Sequence, residues 1–248
     1  MIHKIIEDNI AVLTFETGKG NAFSKLDLLE LSRKLSDIES DISIVGIVLT
    51  GSNRTFSIGG SIDSILNLKS DAEISDFFKI MDSLLIQLFS FRKPVVAALN
   101  GHSIGLGFLV AQCADYAITV KSDKIKIGLP EIKIGMTIDA IMCEILSFNN
   151  INGKRLAEII YTGELYNINQ ALELGLINYI VSESELIPKS KSTIQDLIHD
   201  NPKVFAINKN VLRENSLRIM KKNFEERKYS IFKEVLRDKK TIEKLTNI

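Results

Sequence analysis

Between Pro94 and Leu99 the chain is almost wholly apolar, and this run breaks into the turn Asn100-Gly101-His102-Ser103-Ile104-Gly105-Leu106-Gly107. An apolar helix-like segment, Leu106 to Ala114, follows, and Tyr116 to Val120 is strand-like again. A buried strand, a turn dense in glycine, a buried helix and a second strand leave few arrangements open. The one they favour is a pair of parallel strands joined by a helical crossover. At such a junction the first N–H groups of the helix lack intrahelical acceptors and face whatever negative charge sits there. Further on, a single carboxylate, Glu131, stands in the largely apolar stretch GLPEIKIG. A carboxylate kept from bulk water is a candidate proton carrier. Together these parts suit making and quenching an enolate.

The same grammar recurs along the chain. Ile2 to Ile6 and Ile10 to Phe15 read as a hairpin across Glu7-Asp8-Asn9. Ser24 has the character of a helix cap before Leu28, Leu31 and Leu35 at helical spacing. The strand over Val45 to Leu49, within VGIVLTG, suits a buried parallel position. TFSIGG, from Thr55 to Gly60, is a second strand-to-turn junction, and Ser61-Ile62-Asp63 opens a helix. An amphipathic segment covers Asp76 to Phe89. Beyond Ala140 the pattern is helical, with Asn152 to Ile160, Ile168 to Leu174 before Gly175, and a final region from Val204 to Leu245. Alternating strand and helix from Ile44 to Ile127 places the chain in the α/β class. The expected organisation is a core over residues 1–195 and a helical region over 196–248 that packs on the core or on a neighbouring subunit.

Lys plus Arg and Asp plus Glu both number 31 in 248 residues, so no global field points to nucleic acid or a membrane surface. Cys113 and Cys143 lie in apolar segments without metal-ligand spacing, which reads as free thiols and no metal site. The N-terminal MIHKIIEDNIAVLTF lacks the parts of a signal peptide. No apolar run approaches the roughly 18 residues that span a bilayer, and the expectation is a cytoplasmic protein.

The segments GKGNAFS (18–24), TFSIGGSID (55–63), KPVVAALNGHSIGLG (93–107), CADY (113–116), GLPEIKIG (128–135) and YTGELYNINQALELGLINYIV (161–181) occur in the order found in the crotonase superfamily. The chain therefore resembles the enoyl-CoA hydratase/isomerase family over nearly its whole length. The resemblance implies a crotonase-like spiral (superhelix) of ββα turns with C-terminal helices, assembled as a homotrimer or dimer of trimers. It implies an acyl-CoA thioester as ligand, coenzyme A being part of the substrate and no separate cofactor being needed. Two backbone amides that polarise the thioester carbonyl would belong by position to Ile58 and to Leu106, where most relatives have glycine. Preorganised donors at that oxygen are worth on the order of 3–4 kcal/mol each. The pantetheine and adenine would run along Lys19, Gly20 and Ala22 and past Gly59, Gly60, Ser61 and Ile62. Ser57, Gly105, Leu109, Pro130 and Met136 complete the implied substrate-binding set. Lys19, Lys25 or the basic C-terminal helices could meet the phosphates, although a solvated helical face explains that basic tail equally simply.

Hydratases of the family carry two glutamates, and their positions fall here on Leu109 and Glu131. With leucine at the first, the group that would orient water is missing. One carboxylate suffices to move a proton from C2 of a 3-enoyl thioester to C4. In lacking the first glutamate, in the Gly128-Leu129-x-Glu131 element and in the spacing from Asp115-Tyr116, the chain resembles mitochondrial-type Δ3,Δ2-enoyl-CoA isomerases. The expectation is thus an isomerase with Glu131 as acid/base.

Asp139, eight residues beyond Glu131, keeps alternatives open. It is either the N-cap of the helix from Ala140 or a second catalytic carboxylate, as in related dienoyl-CoA isomerases, hydrolases and dehalogenases. Hydration, thioester hydrolysis, decarboxylation and a non-catalytic acyl-thioester binding role are the competing readings. His102 is expected to be engaged in packing or a backbone hydrogen bond, and Ser57 and Ser103 lack a His/Asp relay.

Overall fold

The computed structural model describes residues 1–149, 151–226 and 229–247. The chain opens with the hairpin β1 (Ile2–Glu7) and β2 (Ile10–Phe15), antiparallel with Ile2 opposite Phe15. Helix α1 (Lys25–Ser40) follows, started by a capping box in which Ser24 accepts from the Asp27 amide and Asp27 accepts from the Ser24 amide. Its core face is Leu28, Leu31, Leu35 and Ile38, each burial being worth about 1.5–3 kcal/mol before chain entropy.

Three strand–strand–helix turns then repeat. β3 (Gly46–Gly51) and β4 (Thr55–Ser57) lead to α2 (Ile62–Leu66) and α3 (Asp71–Phe89). β5 (Val95–Leu99) and β6 (His102–Ile104) lead to α4 (Leu106–Cys113). β7 (Tyr116–Val120) and β8 (Ile127–Gly128) lead to α5 (Ala140–Phe148). The first strand of each turn joins one sheet and the second joins another. Adding α6 (Gly153–Thr162), β9 (Leu165–Tyr166), α7 (Ile168–Glu173) and β10 (Tyr179–Val181), the sheet orders are β1-β2-β3-β5-β7-β10 and β4-β6-β8-β9. From β2 to β10 the larger sheet is parallel. The fold is the α/β crotonase fold, with two mixed sheets and C-terminal helices.

Close approach at the corners explains the sequence there. A Cβ on Gly101 would lie 1.8 Å from the Arg54 carbonyl oxygen, so only glycine lets β5 turn into β6 beside β4. Asn100 bridges the same corner, accepting from the Gly51 amide at 3.1 Å and donating to the Gly51 carbonyl at 2.8 Å. Phe15 packs edge-on against Phe23 and Phe56 at 5.1 and 5.3 Å between centroids.

The C-terminal part comprises α8 (Leu186–Ile198), α9 (Pro202–Glu226), α10 (Ser230–Val235) and α11 (Lys239–Thr246). The expected helical run from Val204 to Leu245 is thus divided, with Tyr229 at φ 52° preceding α10 and Asp238 capping α11; residues 227 and 228 lie outside the described residues. Helix α9 is not merely a solvated basic face. Lys209 and Arg213 are buried and hold Asp115 at 2.7 and 2.9 Å, while Arg213 also donates to the carbonyls of Phe89 and Cys113 at 2.7 and 2.9 Å. These two cations tie the ends of α3 and α4 together and are unavailable to a phosphate. Among the described residues no helix is long and apolar enough to cross a membrane.

Candidate functional site

The turn after β4 distributes its amides unevenly. The Ile58 N–H donates to the Gly20 carbonyl at 3.0 Å, and the Gly59 N–H donates to Ser57 Oγ at 3.2 Å. Phe23 donates to the Gly59 carbonyl and the Ser61 amide donates to the Phe23 carbonyl, both at 2.8 Å. The Gly60 N–H alone in this turn has no acceptor among the described residues. The assignment of the Ile58 amide as a donor to substrate is therefore corrected. Ile58 is committed to the Lys19–Asn21 turn, and the free amide lies two residues later. The sequence offsets could not separate the two, because both flank the same glycine.

The second turn is built around Gly105, whose φ of 59° and ψ of −128° fall where only glycine is unstrained. Its amide donates to the Gly128 carbonyl at 3.0 Å, which pins the turn to β8. The next residue, Leu106, begins α4, and its N–H has no acceptor among the described residues. A Cβ on Gly59 would lie 3.1 Å from Leu106 N, so the two turns meet backbone to backbone. A Cβ on Gly107 would come within 2.4 Å of the Ser57 carbonyl oxygen, which keeps α4 pressed on β4. Two amides, of Gly60 just before the cap of α2 and of Leu106 at the start of α4, thus border one space.

Glu131 enters that space from a short 3-10 turn, Glu131–Ile134, closed by Gly135 at φ 78°. Met136 donates back to the Glu131 carbonyl at 2.8 Å, and Thr241 of α11 donates its hydroxyl to the Gly135 carbonyl at 3.2 Å. The carboxylate faces Gly105: a Cβ there would lie 2.9 Å from Oε1. Oε2 is shut off from solvent and has no hydrogen-bond partner among the described residues. Burial without a counter-ion pushes the Glu131 carboxyl up to about 7.

The cavity around these groups measures about 90 Å³. Its head is formed by Gly59, Gly60, Gly105, Leu106 and Glu131, and the rest is apolar, from Ile62, Ile65, Phe77, Phe78, Met81, Met142 and Phe232 among others. Among the described residues Glu131 is the only ionisable side chain in the lining, and Thr137 is the only other polar one. Leu109, at the place a first glutamate would occupy by resemblance, lines the cavity and is 1% exposed.

Of the expected substrate-binding residues, Gly59, Gly60, Ile62, Gly105, Leu109, Pro130 and Met136 line this cavity. Ser57 and Ser61 do structural work instead. Ser57 donates its hydroxyl to the Asn21 carbonyl at 2.8 Å, and Ser61 caps α2. Lys19, Gly20 and Ala22 stand behind the first turn and do not line the cavity, Gly20 being packed under the Ile58 side chain. Asp139 accepts from the Met142 amide at 2.9 Å as the N-cap of α5, the first of its two expected roles, and is likewise outside the lining. His102 Nδ1 accepts from the Lys126 amide at 3.1 Å. Sequence reasoning missed the α3 and α10 contributions, Phe77, Phe78, Met81 and Phe232. Helical periodicity marks them as inward-facing without telling a cavity from a core. No cluster of metal-ligating side chains occurs among the described residues.

Comparison with known proteins agrees with this geometry. The family model described as enoyl-CoA hydratase/isomerase matches residues 5–246. The chain is 29% identical over 229 residues to a protein of Bacillus subtilis (strain 168) named "Probable enoyl-CoA hydratase", covering 89% of this chain and 88% of that protein. It is 30% identical over 188 residues to the crotonyl-CoA hydratase of Syntrophomonas wolfei, covering 75% of this chain and 70% of that protein. In fold it superposes on human mitochondrial Δ3-Δ2-enoyl-CoA isomerase with a TM-score of 0.90 at 22% identity, covering 99% of this chain and 95% of the other. With a family match spanning nearly every residue and the two-turn cavity in place, the chain belongs to the enoyl-CoA hydratase/isomerase family of acyl-CoA-processing enzymes.

Proposed function

We propose that this enzyme isomerises 3-enoyl thioesters of coenzyme A to 2-enoyl thioesters, with Glu131 as its single acid/base. The observation that carries the reading is the Glu131 carboxylate, whose buried Oε2 has no hydrogen-bond partner among the described residues, in a cavity with no second ionisable side chain among them. The Gly60 and Leu106 amides supply the donors for the thioester oxygen. Ionised Glu131 takes a proton from C2, and the electron pair delocalises through the carbonyl onto the oxygen between those amides. The same carboxyl then returns the proton to C4, the C3–C4 double bond becoming C2–C3. Each donor contributes on the order of 3–4 kcal/mol to the dienolate-like transition state because it is fixed before charge develops. A carboxyl near neutrality is matched to both halves of this shuttle. Apolar Leu109 opposes retention of the water that hydration would need.

Spectrophotometric turnover of 3-hexenoyl-CoA by wild type and Glu131→Gln tests the reading. Isomerisation by the wild type and a loss of at least about 100-fold in the variant are expected; equal rates would remove Glu131 from the chemistry. A homo-oligomer, trimer or dimer of trimers, is part of the same proposal. It draws support from the exposed Val204, Ile207, Val211 and Leu212 at helical spacing on α9, and light scattering measures it.

A further inference from the structure

The cavity has a head that meets the thioester and an apolar remainder that only the acyl chain can fill. Phe77 belongs to the head side, since a Cβ on Gly60 would lie 4.0 Å from its Cζ. In the same apolar lining, Phe78 of α3 and Phe232 of α10 stack with centroids 3.8 Å apart and ring planes 6° from parallel. Both rings line the cavity while being 3% and 0% exposed, so the pair closes the compartment rather than opening it to solvent. On the exposed side of the wall Arg237, just past α10, pairs with Asp71 at the start of α3.

We infer that the Phe78–Phe232 stack is the chain-length gauge of this enzyme and restricts it to short acyl groups. The inference rests on the proposed use of the cavity for the acyl part of a thioester and goes on to name which substrates fit. Phe232 is the determinant to change, because it sits on a six-residue helix at the edge of the fold whereas Phe78 is built into the long helix α3. A longer chain has to displace this ring and its contact with Phe78. Removing the ring adds to the cavity the space a longer tail requires.

The test compares kcat/KM for 3-hexenoyl-CoA and 3-decenoyl-CoA. Wild type is expected to favour the six-carbon substrate by about tenfold or more, and Phe232→Ala to erase most of that preference. Phe232→Leu, which keeps the helix filled, should move the ratio in the same direction by about threefold and carries the test if the alanine variant does not fold. A wild type that turns over both substrates equally, or a ratio unmoved in the folded variants, overturns the inference. Calorimetric binding of hexanoyl-CoA and decanoyl-CoA to the wild type separates this from the isomerase reading. Short-chain preference in binding without any turnover would sink only the isomerase. Tighter binding of decanoyl-CoA beside normal isomerase activity would sink only the gauge.

Discussion

Gly105 and Glu131 share one side chain's worth of space: a Cβ on Gly105 would lie 2.9 Å from Glu131 Oε1. The glycine turn therefore serves two ends. It presents the Leu106 amide, and it leaves the carboxylate room to reach the same spot.

Gly105→Ala should damage activity far more than folding. The backbone at φ 59° and ψ −128° costs an alanine about 1–3 kcal/mol, and the new methyl must push the Glu131 carboxylate aside. Displacing a reacting group by about 1 Å costs on the order of 100-fold in rate, so kcat should fall by that much while thermal unfolding drops only modestly. Near-normal kcat in a folded Gly105→Ala protein would contradict this contact.

The raised pKa of Glu131 gives two opposite pH dependences. Proton abstraction needs the ionised form, so log kcat/KM should rise with unit slope as pH approaches about 7 and level off above it. Stability runs the other way. Burial lifts this carboxyl from 4.5 to about 7, so between those values the folded chain binds more protons than the unfolded chain, and stability falls as pH rises. The full effect is on the order of 3 kcal/mol. Urea titrations at pH 5 and pH 8 should show Glu131→Gln less pH-sensitive than wild type; parallel changes in both proteins would rule this group out as the source.

The fold was readable from the chain because long buried strands such as GIVLTG and caps such as Ser24 are decided locally. The smaller sheet was much less visible. β6 and β8 have three and two residues, too short for a period, and they exist because glycine corners bring backbones together. The site divides in the same way. Glu131, Gly59, Gly60 and Gly105 carry chemistry or backbone freedom in their residue type. The choice between the Ile58 and Gly60 amides depends on one hydrogen bond to Gly20, and the inward turn of Phe78 and Phe232 depends on helices far apart in sequence.

Asp115 anchors the C-terminal helices to this machinery. Its carboxylate meets the Val95 amide at 2.8 Å, Lys209 at 2.7 Å and Arg213 at 2.9 Å. Asp115→Asn keeps the shape and strands two buried cations, at an expected cost of about 3–5 kcal/mol in urea unfolding. Burial already lowers the Lys209 ammonium to about 8, partly offset by Asp115, and removing that carboxylate lowers it further. Below the ordinary 10.5 the folded variant then binds fewer protons than the unfolded chain, and the gap from wild type should narrow as pH rises towards about 8, where Lys209 is still charged in the wild type and already neutral in the variant. A loss below about 1 kcal/mol would mean that the pair is dispensable.

On the proposed isomerase reading, Leu109 separates moving a proton from adding water. It is buried beside the cavity head, at the place where the family resemblance puts a hydratase's first glutamate. Leu109→Glu supplies a group that can hold and activate water opposite Glu131, at a cost of about 1–3 kcal/mol for burying a polar side chain. Hydration of crotonyl-CoA should then become measurable while isomerisation of 3-hexenoyl-CoA declines, because water competes for the activated double bond. Leu109→Gln, polar but unable to titrate, should lose isomerase activity without gaining comparable hydration. The decisive comparison is the wild type itself. If it hydrates crotonyl-CoA as fast as it isomerises 3-hexenoyl-CoA, one carboxylate is performing both tasks, and the apolar side chain at position 109 is not what separates the two reactions.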